Sequence, residues 1–291
     1  MHLDNRRKNS LMKKWKLFVA LIVVLPLFIW FLNFENSSFT VTHLDVKLDD
    51  LPPKFSGYKI LQISDLHGKS FGPHQRDLVA AIGKANPDLI AVTGDLIDHR
   101  HNYDEVAISL LRQVTDVAPV YFVTGNHEWQ SGRFNSLENR LTELGVKVLR
   151  NGHTHISRGN ERLFIVGIDD IAKNARLYDS DAVVINELDQ AMAGLSRSDT
   201  TVLLAHRPEK FSIYSLYGVD LILSGHAHGG QIRFPLIGGL YAPDQGFFPK
   251  YISGPYKNHG STMVVSRGLG NSIAPQRLFN RPEIVLITLK R

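Results

Sequence analysis

The chain has 291 residues, 43% of them hydrophobic, and no cysteine. That length supports one large domain or two small ones, and the lack of cysteine excludes a disulfide framework, a thiolate metal site and a cysteine nucleophile. The formal charge is +5, but Arg6, Arg7, Lys8, Lys13, Lys14 and Lys16 against Asp4 place all of that excess in residues 1–16. The body is neutral and gives no electrostatic argument for a nucleic-acid partner.

Residues 17–32 are apolar, uncharged and interrupted only by Pro26, long enough to cross most of a hydrocarbon core of about 30 Å. A cleaved signal peptide and an uncleaved signal anchor compete. The following Asn33-Phe34-Glu35-Asn36-Ser37-Ser38 lacks a small-x-small cleavage site, which favours the anchor. Arg6-Arg7 hints at twin-arginine export, but polar Asn9 and Ser10 follow it. Basic residues before the span and Glu35 after it put the N-terminus in the cytoplasm and the body outside. The expected organisation is a basic cytoplasmic tail (1–16), a transmembrane signal anchor (17–34), a linker with the first strand (35–45) and a globular domain (46–291), in a single-pass protein of the cell membrane.

Residues 42–48 alternate as a half-exposed strand does. An apolar strand from Lys59 ends in Asp65-Leu66-His67-Gly68. A helix is expected over 74–86, with Leu78, Val79, Ile82 and Ala85 on one face and Pro87 closing it. A buried strand over 88–93 ends in Gly94-Asp95, a second helix covers 103–115, and the strand over 120–124 ends in Gly125-Asn126-His127-Glu128. A helix near 134–144, short strands from 146 to 168 and a helix over 183–194 come next. The strand over 201–205 ends in His206, and that over 219–223 in Gly225-His226-Ala227-His228. Early strand–helix alternation and later meander-like strands indicate an α/β fold with helices outside.

Five strand ends thus carry Asp65 and His67, Asp95, Asn126 and His127, His206, and His226 and His228. In open α/β sheets, sites form beyond the carboxyl ends of the strands, so these side chains would meet at one edge. Imidazoles, carboxylates and an amide suit Mn, Fe or Zn. Two such ions need a bridging group, and Asp95, alone after its strand with two oxygens, is the natural one.

Asp-x-His, Gly-Asp, Gly-Asn-His-Glu, a lone His after a strand and Gly-His-x-His, in this order over about residues 58–230, resemble the calcineurin-like metallophosphoesterases. The resemblance implies a four-layer α/β/β/α sandwich of two mixed β-sheets flanked by helices, here preceded by one transmembrane helix. It implies two metal ions: Asp65, His67 and His228 on the first, Asn126, His206 and His226 on the second, and Asp95 bridging. It makes His127 the catalytic residue, touching the phosphate and stabilising developing charge or protonating the leaving oxygen. The implied reaction is in-line attack of a metal-bridging hydroxide on a phosphoester. The anchor, the His-Gly after Asp-Leu, Gly-His-Ala-His-Gly-Gly-Gln and Ser266-Arg267-Gly268-Leu269-Gly270 are similar to the bacterial membrane- or wall-associated branch, implying a phosphodiesterase and lipid- or wall-linked substrates.

Several features stay open. Gly152-His153-Thr154-His155 copies the last motif but precedes the His206 element, and is not counted among the ligands. His99 and His101 could line the substrate mouth or be solvated loop histidines. Arg267 could bind a substrate phosphate as a bidentate fork or form a structural salt bridge. Phe247, Phe248, Tyr251 and Tyr256 are read as loop core, or as an aromatic lip for a glycan or lipid. Rival functions are a broad phosphomonoesterase, a non-catalytic metal-bound interaction module, and an intracellular nuclease or nucleotide esterase. The intact ligand set disfavours the module, and topology and neutral charge disfavour the last. No obligate protein partner is indicated.

Overall fold

Strands covered on both faces must be apolar at successive positions, and several short runs of this chain meet that condition. The computed structural model describes residues 2–174, 181–272 and 274–291. In chain order it contains helix α1 (His2–Ser37), β1 (Thr40–Lys47), β2 (Lys59–Ile63), α2 (Arg76–Ala85), β3 (Leu89–Thr93), α3 (Asp104–Val114) and β4 (Val120–Val123). Next are α4 (Asn126–Gln130), α5 (Phe134–Glu143), β5 (Lys147–Val148), β6 (Gly152–Arg158), β7 (Glu161–Gly167), α6 (Asp181–Ala191), β8 (Thr201–Leu204), α7 (Phe211–Leu216) and β9 (Leu221–Ser224). Two small hairpins, β10 (Arg233–Phe234) with β11 (Gly238–Gly239) and β12 (Tyr241–Ala242) with β13 (Gly246–Phe247), precede β14 (Gly254–Asn258), β15 (Ser261–Val265) and β16 (Glu283–Lys290).

The strands form two six-stranded sheets, ordered β1-β16-β2-β3-β4-β5 and β14-β15-β9-β8-β7-β6. Both are mixed. β2 to β5 run parallel beside antiparallel β16, and β7, β8, β9 and β15 run parallel between antiparallel edge strands β6 and β14. Side chains alternate across each strand. Leu89 and Ala91 of β3 therefore enter the layer between the sheets, with Val202 and Leu204 of β8, while Ile90 and Val92 face Leu78, Ile82, Leu110 and Leu111 of α2 and α3. On the far side, Leu203 and Ile222 pack with Val184, Leu188 and Phe211 of α6 and α7. The result is the expected α/β/β/α sandwich.

Three local expectations change. The helix expected from residue 74 starts at Arg76, because Pro73–Gln75 form a 3-10 turn with His74 and Gln75 at positive φ. The later strands form no meander: α6 and α7 cross over between parallel strands, and among the described residues the only hairpin pairs within the two large sheets are β6–β7 and β14–β15. Expectation also lacked β16, which lies between β1 and β2 although it is last in the chain. In α1, the stretch Met12–Ser37 is long and apolar enough to cross a membrane, and none of its most apolar window is buried.

Candidate metal centre

Both sheets end at one edge. Asp65 N donates to Gly94 O at 3.0 Å, His67 N to Asp95 O at 3.0 Å, and Gly225 N to His206 O at 3.0 Å, so neighbouring strand ends are tied turn to turn. Gly94 (φ +89°) lets the β3 turn pass close to its neighbours: a Cβ there would meet Gly125 N and His206 Nδ1 at 2.6 Å. Asp65, His67, Asp95, His226 and His228 all have positive φ between 47° and 63°. Non-glycine residues rarely adopt that region, and clusters of such strain mark functional turns.

The turns converge on two groups that share Asp95. In one, ligand atoms of Asp65, His67, Asp95 and His228 lie within 4.8 Å of one another; in the other, so do those of Asp95, His206 and His226. Asp95 Oδ2 is 3.3 Å from His206 Nε2 and 3.6 Å from His67 Nε2, and His228 Nε2 is 3.3 Å from Asp65 Oδ1. The residues fit metal ions. His67 Nε2 faces His228 Nε2 at 3.1 Å, and His206 Nε2 faces His226 Nδ1 at 3.1 Å. Converging ring nitrogens beside two buried carboxylates form an N/O donor set of the kind such ions prefer. The Asn126 Oδ1 is buried without a hydrogen-bond partner.

Burial favours the neutral ring, the form that can coordinate, at three of these histidines. Burial lowers His67 to about 3 and also depresses His228 and His127. Burial pushes Asp65 up. Asp95 goes the other way: burial opposes its charge, but His206 and His127 hold it well below the usual carboxylate range. Burial opposes the charge on His206 too, but the Asp95 carboxylate beside it raises the ring to about 10.

Further groups orient these side chains, as metal sites require. Thr93 O lies 2.8 Å from His206 Nδ1, and Asp65 accepts from His226 N at 3.0 Å. Glu128 is buried and accepts from the backbone N–H groups of Gly125, Asp95, Leu96 and Ile97 at 2.7 to 3.2 Å, locking the β4 turn to the β3 turn. His127 N donates to Asp95 Oδ1 at 2.8 Å. Its ring accepts at Nδ1 from His99 N at 3.2 Å, and the His99 ring stands 3.1 Å away. His99 thus lies against His127, whereas His101 stacks on Tyr103.

A cleft of about 200 Å³ opens over Asp95, Asn126, His127 and His226, with Tyr241, Pro243, Asp244 and Ser272 as further walls. Sequence reasoning missed Asp244, whose carboxylate is 2.9 Å from His226 Nε2 and 2.5 Å from Arg207 Nη1. It lies in the turn between the two-residue strands β12 and β13 and belongs to no motif, so the chain offers no local signal for it. Arg267 forms a salt bridge with Glu283 at 3.0 Å. His153 and His155 lie on edge strand β6 against Phe164, away from both groups.

Residues 58–230 match the family model described as calcineurin-like phosphoesterase. The chain is 31% identical over 261 residues to the uncharacterized metallophosphoesterase YkuE of Bacillus subtilis, covering 88% of this chain and 87% of that protein. It is 31% identical over 247 residues to an uncharacterized metallophosphoesterase of Aquifex aeolicus, covering 82% and 87%. A Bos taurus protein named transmembrane protein with metallophosphoesterase domain is 32% identical over 261 residues; the match covers 86% of this chain but only 57% of that protein. With five motifs gathered at one sheet edge around an N/O donor set, and with these relatives, the chain belongs to the calcineurin-like phosphoesterase family of metal-dependent phosphoester hydrolases.

Proposed function

We propose that this protein is a dinuclear phosphodiesterase whose hydrolase body, residues 46–291, acts outside the cytoplasmic membrane. The observation that carries this reading is the pair of ligand groups sharing Asp95. Asp65, His67 and His228 would hold one ion, Asn126, His206 and His226 the other, and Asp95 both. The ions, drawn from Mn, Fe and Zn, supply positive charge for the phosphoryl oxygens and lower the pKa of water. With its Nδ1 accepting from His99 N–H, His127 carries its proton on Nε2 and donates from there to a phosphoryl or leaving oxygen. The backbone N–H of His99 holds that ring in place.

Residues 17–34 would anchor the chain, with the basic segment 1–16 in the cytoplasm. The bovine relative's name supports membrane association. Phosphoesters linked to lipid or cell wall are the substrates this placement favours. The salt bridge to Glu283 supports a structural role for Arg267 and leaves the substrate contact to His127 and His99.

The test strips the full chain of metal, reloads it with Mn, Zn or Fe, and compares bis-p-nitrophenyl phosphate with p-nitrophenyl phosphate. Metal-dependent turnover that prefers the diester and is lost in Asp95→Asn and His127→Ala is expected. Monoester preference would make it a phosphomonoesterase. Two bound equivalents of metal without turnover of either ester would favour a binding module.

A further inference from the structure

Two exposed apolar ridges stand beside the cleft. Leu236, at the turn between β10 and β11, is fully exposed, and Ile237, Phe247 and Phe248 each leave 65 to 71% of their surface uncovered. The ridges are continuous. Phe248 N donates to Leu240 O at 2.9 Å, and the Tyr241 and Phe247 rings meet at 5.3 Å. Tyr241, Pro243 and Asp244 of the same stretch wall the cleft. Single exposed apolar residues are ordinary, but a cluster of large ones on two adjoining hairpins marks an interaction surface.

The neighbour of this surface identifies its partner. Arg233 N donates to Leu278 O at 2.9 Å, and the next residue, Phe279, packs its ring 5.7 Å from Phe31 of α1. Asn280 N donates to Glu35 at 3.0 Å, while its side-chain amide donates to His228 O at 2.7 Å and Gln231 O at 2.9 Å. One loop therefore joins the end of the apolar helix, the first hairpin and a candidate metal ligand. Trp30 and Phe34 stack at 5.6 Å at this same end of α1, both exposed. An amphipathic indole such as that of Trp30 marks the level of lipid headgroups.

We propose that the hairpins Arg233–Phe234/Gly238–Gly239 and Tyr241–Ala242/Gly246–Phe247 form a membrane-docking surface. With α1 set in a bilayer, Leu236, Ile237, Phe247 and Phe248 enter the headgroup–acyl boundary of the leaflet from which α1 emerges. The cleft then opens against the headgroup layer, where phosphoesters of amphiphilic lipids reach it without leaving the membrane. The docking rests on α1 and the hairpins alone; only its use for substrate delivery rests on the hydrolase reading.

The native chain has no cysteine, so single labels report one site each. The full chain with Leu236→Cys or Phe248→Cys, each carrying a nitroxide, would be placed in vesicles of phosphatidylcholine and phosphatidylglycerol. The control is Leu216→Cys, as exposed as Phe248 but beside the turn that leads into β9, at the opposite end of the sheets. Collision with oxygen relative to a water-soluble nickel chelate is expected to be several-fold higher at 236 and 248 than at 216. A ratio equal to the control at both sites would overturn the proposal. So would labels shielded from both reagents and broadened by one another, because a second copy would then cover the surface. The readout needs no turnover, so a docked but inactive chain would sink the hydrolase reading alone.

Discussion

Two segments of this protein carry the same Gly-His-x-His pattern and share almost nothing else. Gly225-His226-Ala227-His228 follows a buried strand, places both histidines at positive φ, and buries their rings against Asp65, His67, Asp95 and His206. Gly152-His153-Thr154-His155 lies within edge strand β6, where alternate residues are exposed, and its rings rest on Phe164. There His153 Nδ1 meets Ala191 O of α6 at 2.7 Å, and among the described residues neither ring joins a group of metal-ligating side chains. The spacing of ligand residues is therefore worth little until the backbone curls them toward other donors. A strand sends both rings to one face, but on an edge strand that face meets solvent and a helix end.

Removing one ring from each segment should separate them most sharply. His228→Ala should lower metal-dependent hydrolysis by about 10³-fold and release one of two metal equivalents. The matching His155→Ala should leave turnover and metal content within about twofold. Equal losses would mean that the β6 histidines take part in the site. Metal analysis beside initial rates decides this.

The glycines give the next contrast. A Cβ on Gly225 would collide with Ser64 Oγ and Asp65 Oδ2, whereas on Gly152 it would meet only Arg150 O at 3.7 Å. Gly225→Ala should cost about 1–3 kcal/mol and misplace Asp65. Gly152→Ala should stay within about 0.5 kcal/mol of the parent. Denaturant midpoints read both.

What β6 does instead can be tested at Glu187 of α6, a helix packed on that strand. Burial, with Asp169 nearby, raises the Glu187 carboxyl from 4.5 to about 8. The folded state thus holds a proton that the unfolded chain releases above about pH 4.5. Stability should fall as pH rises from there to about 8 and level off beyond. Glu187→Gln should remove that decline, leaving the variant on the order of 1–2 kcal/mol more stable than the parent at pH 8 and similar at pH 4. Parallel curves for the two proteins would show that Glu187 is ionised in the fold.

The sequence alone determined a good part of this molecule. Runs such as Leu89–Thr93 and Leu221–Ser224 are apolar at nearly every position because both faces are covered, so strand, sandwich class and converging strand ends were legible locally. Asp65, His67, Asp95, Asn126, His127, His206, His226 and His228 stood out because each follows such a strand. Only tertiary structure decided what depends on distant partners. β16 is an ordinary apolar run until it slots between β1 and β2. Asp244 gains its place from Arg207 and His226, and His99 from a contact with His127 across 28 positions. The aromatics near residue 247 were ambiguous between core and lip because exposure is a property of the folded surface. There, Phe247 and Phe248 face outward while Tyr251 and Tyr256 pack on each other at 5.1 Å beside Phe211. Local pattern records which residues must be buried or turned. Which of them meet is fixed by how the two sheets stack, and that is settled by the packing of the whole chain.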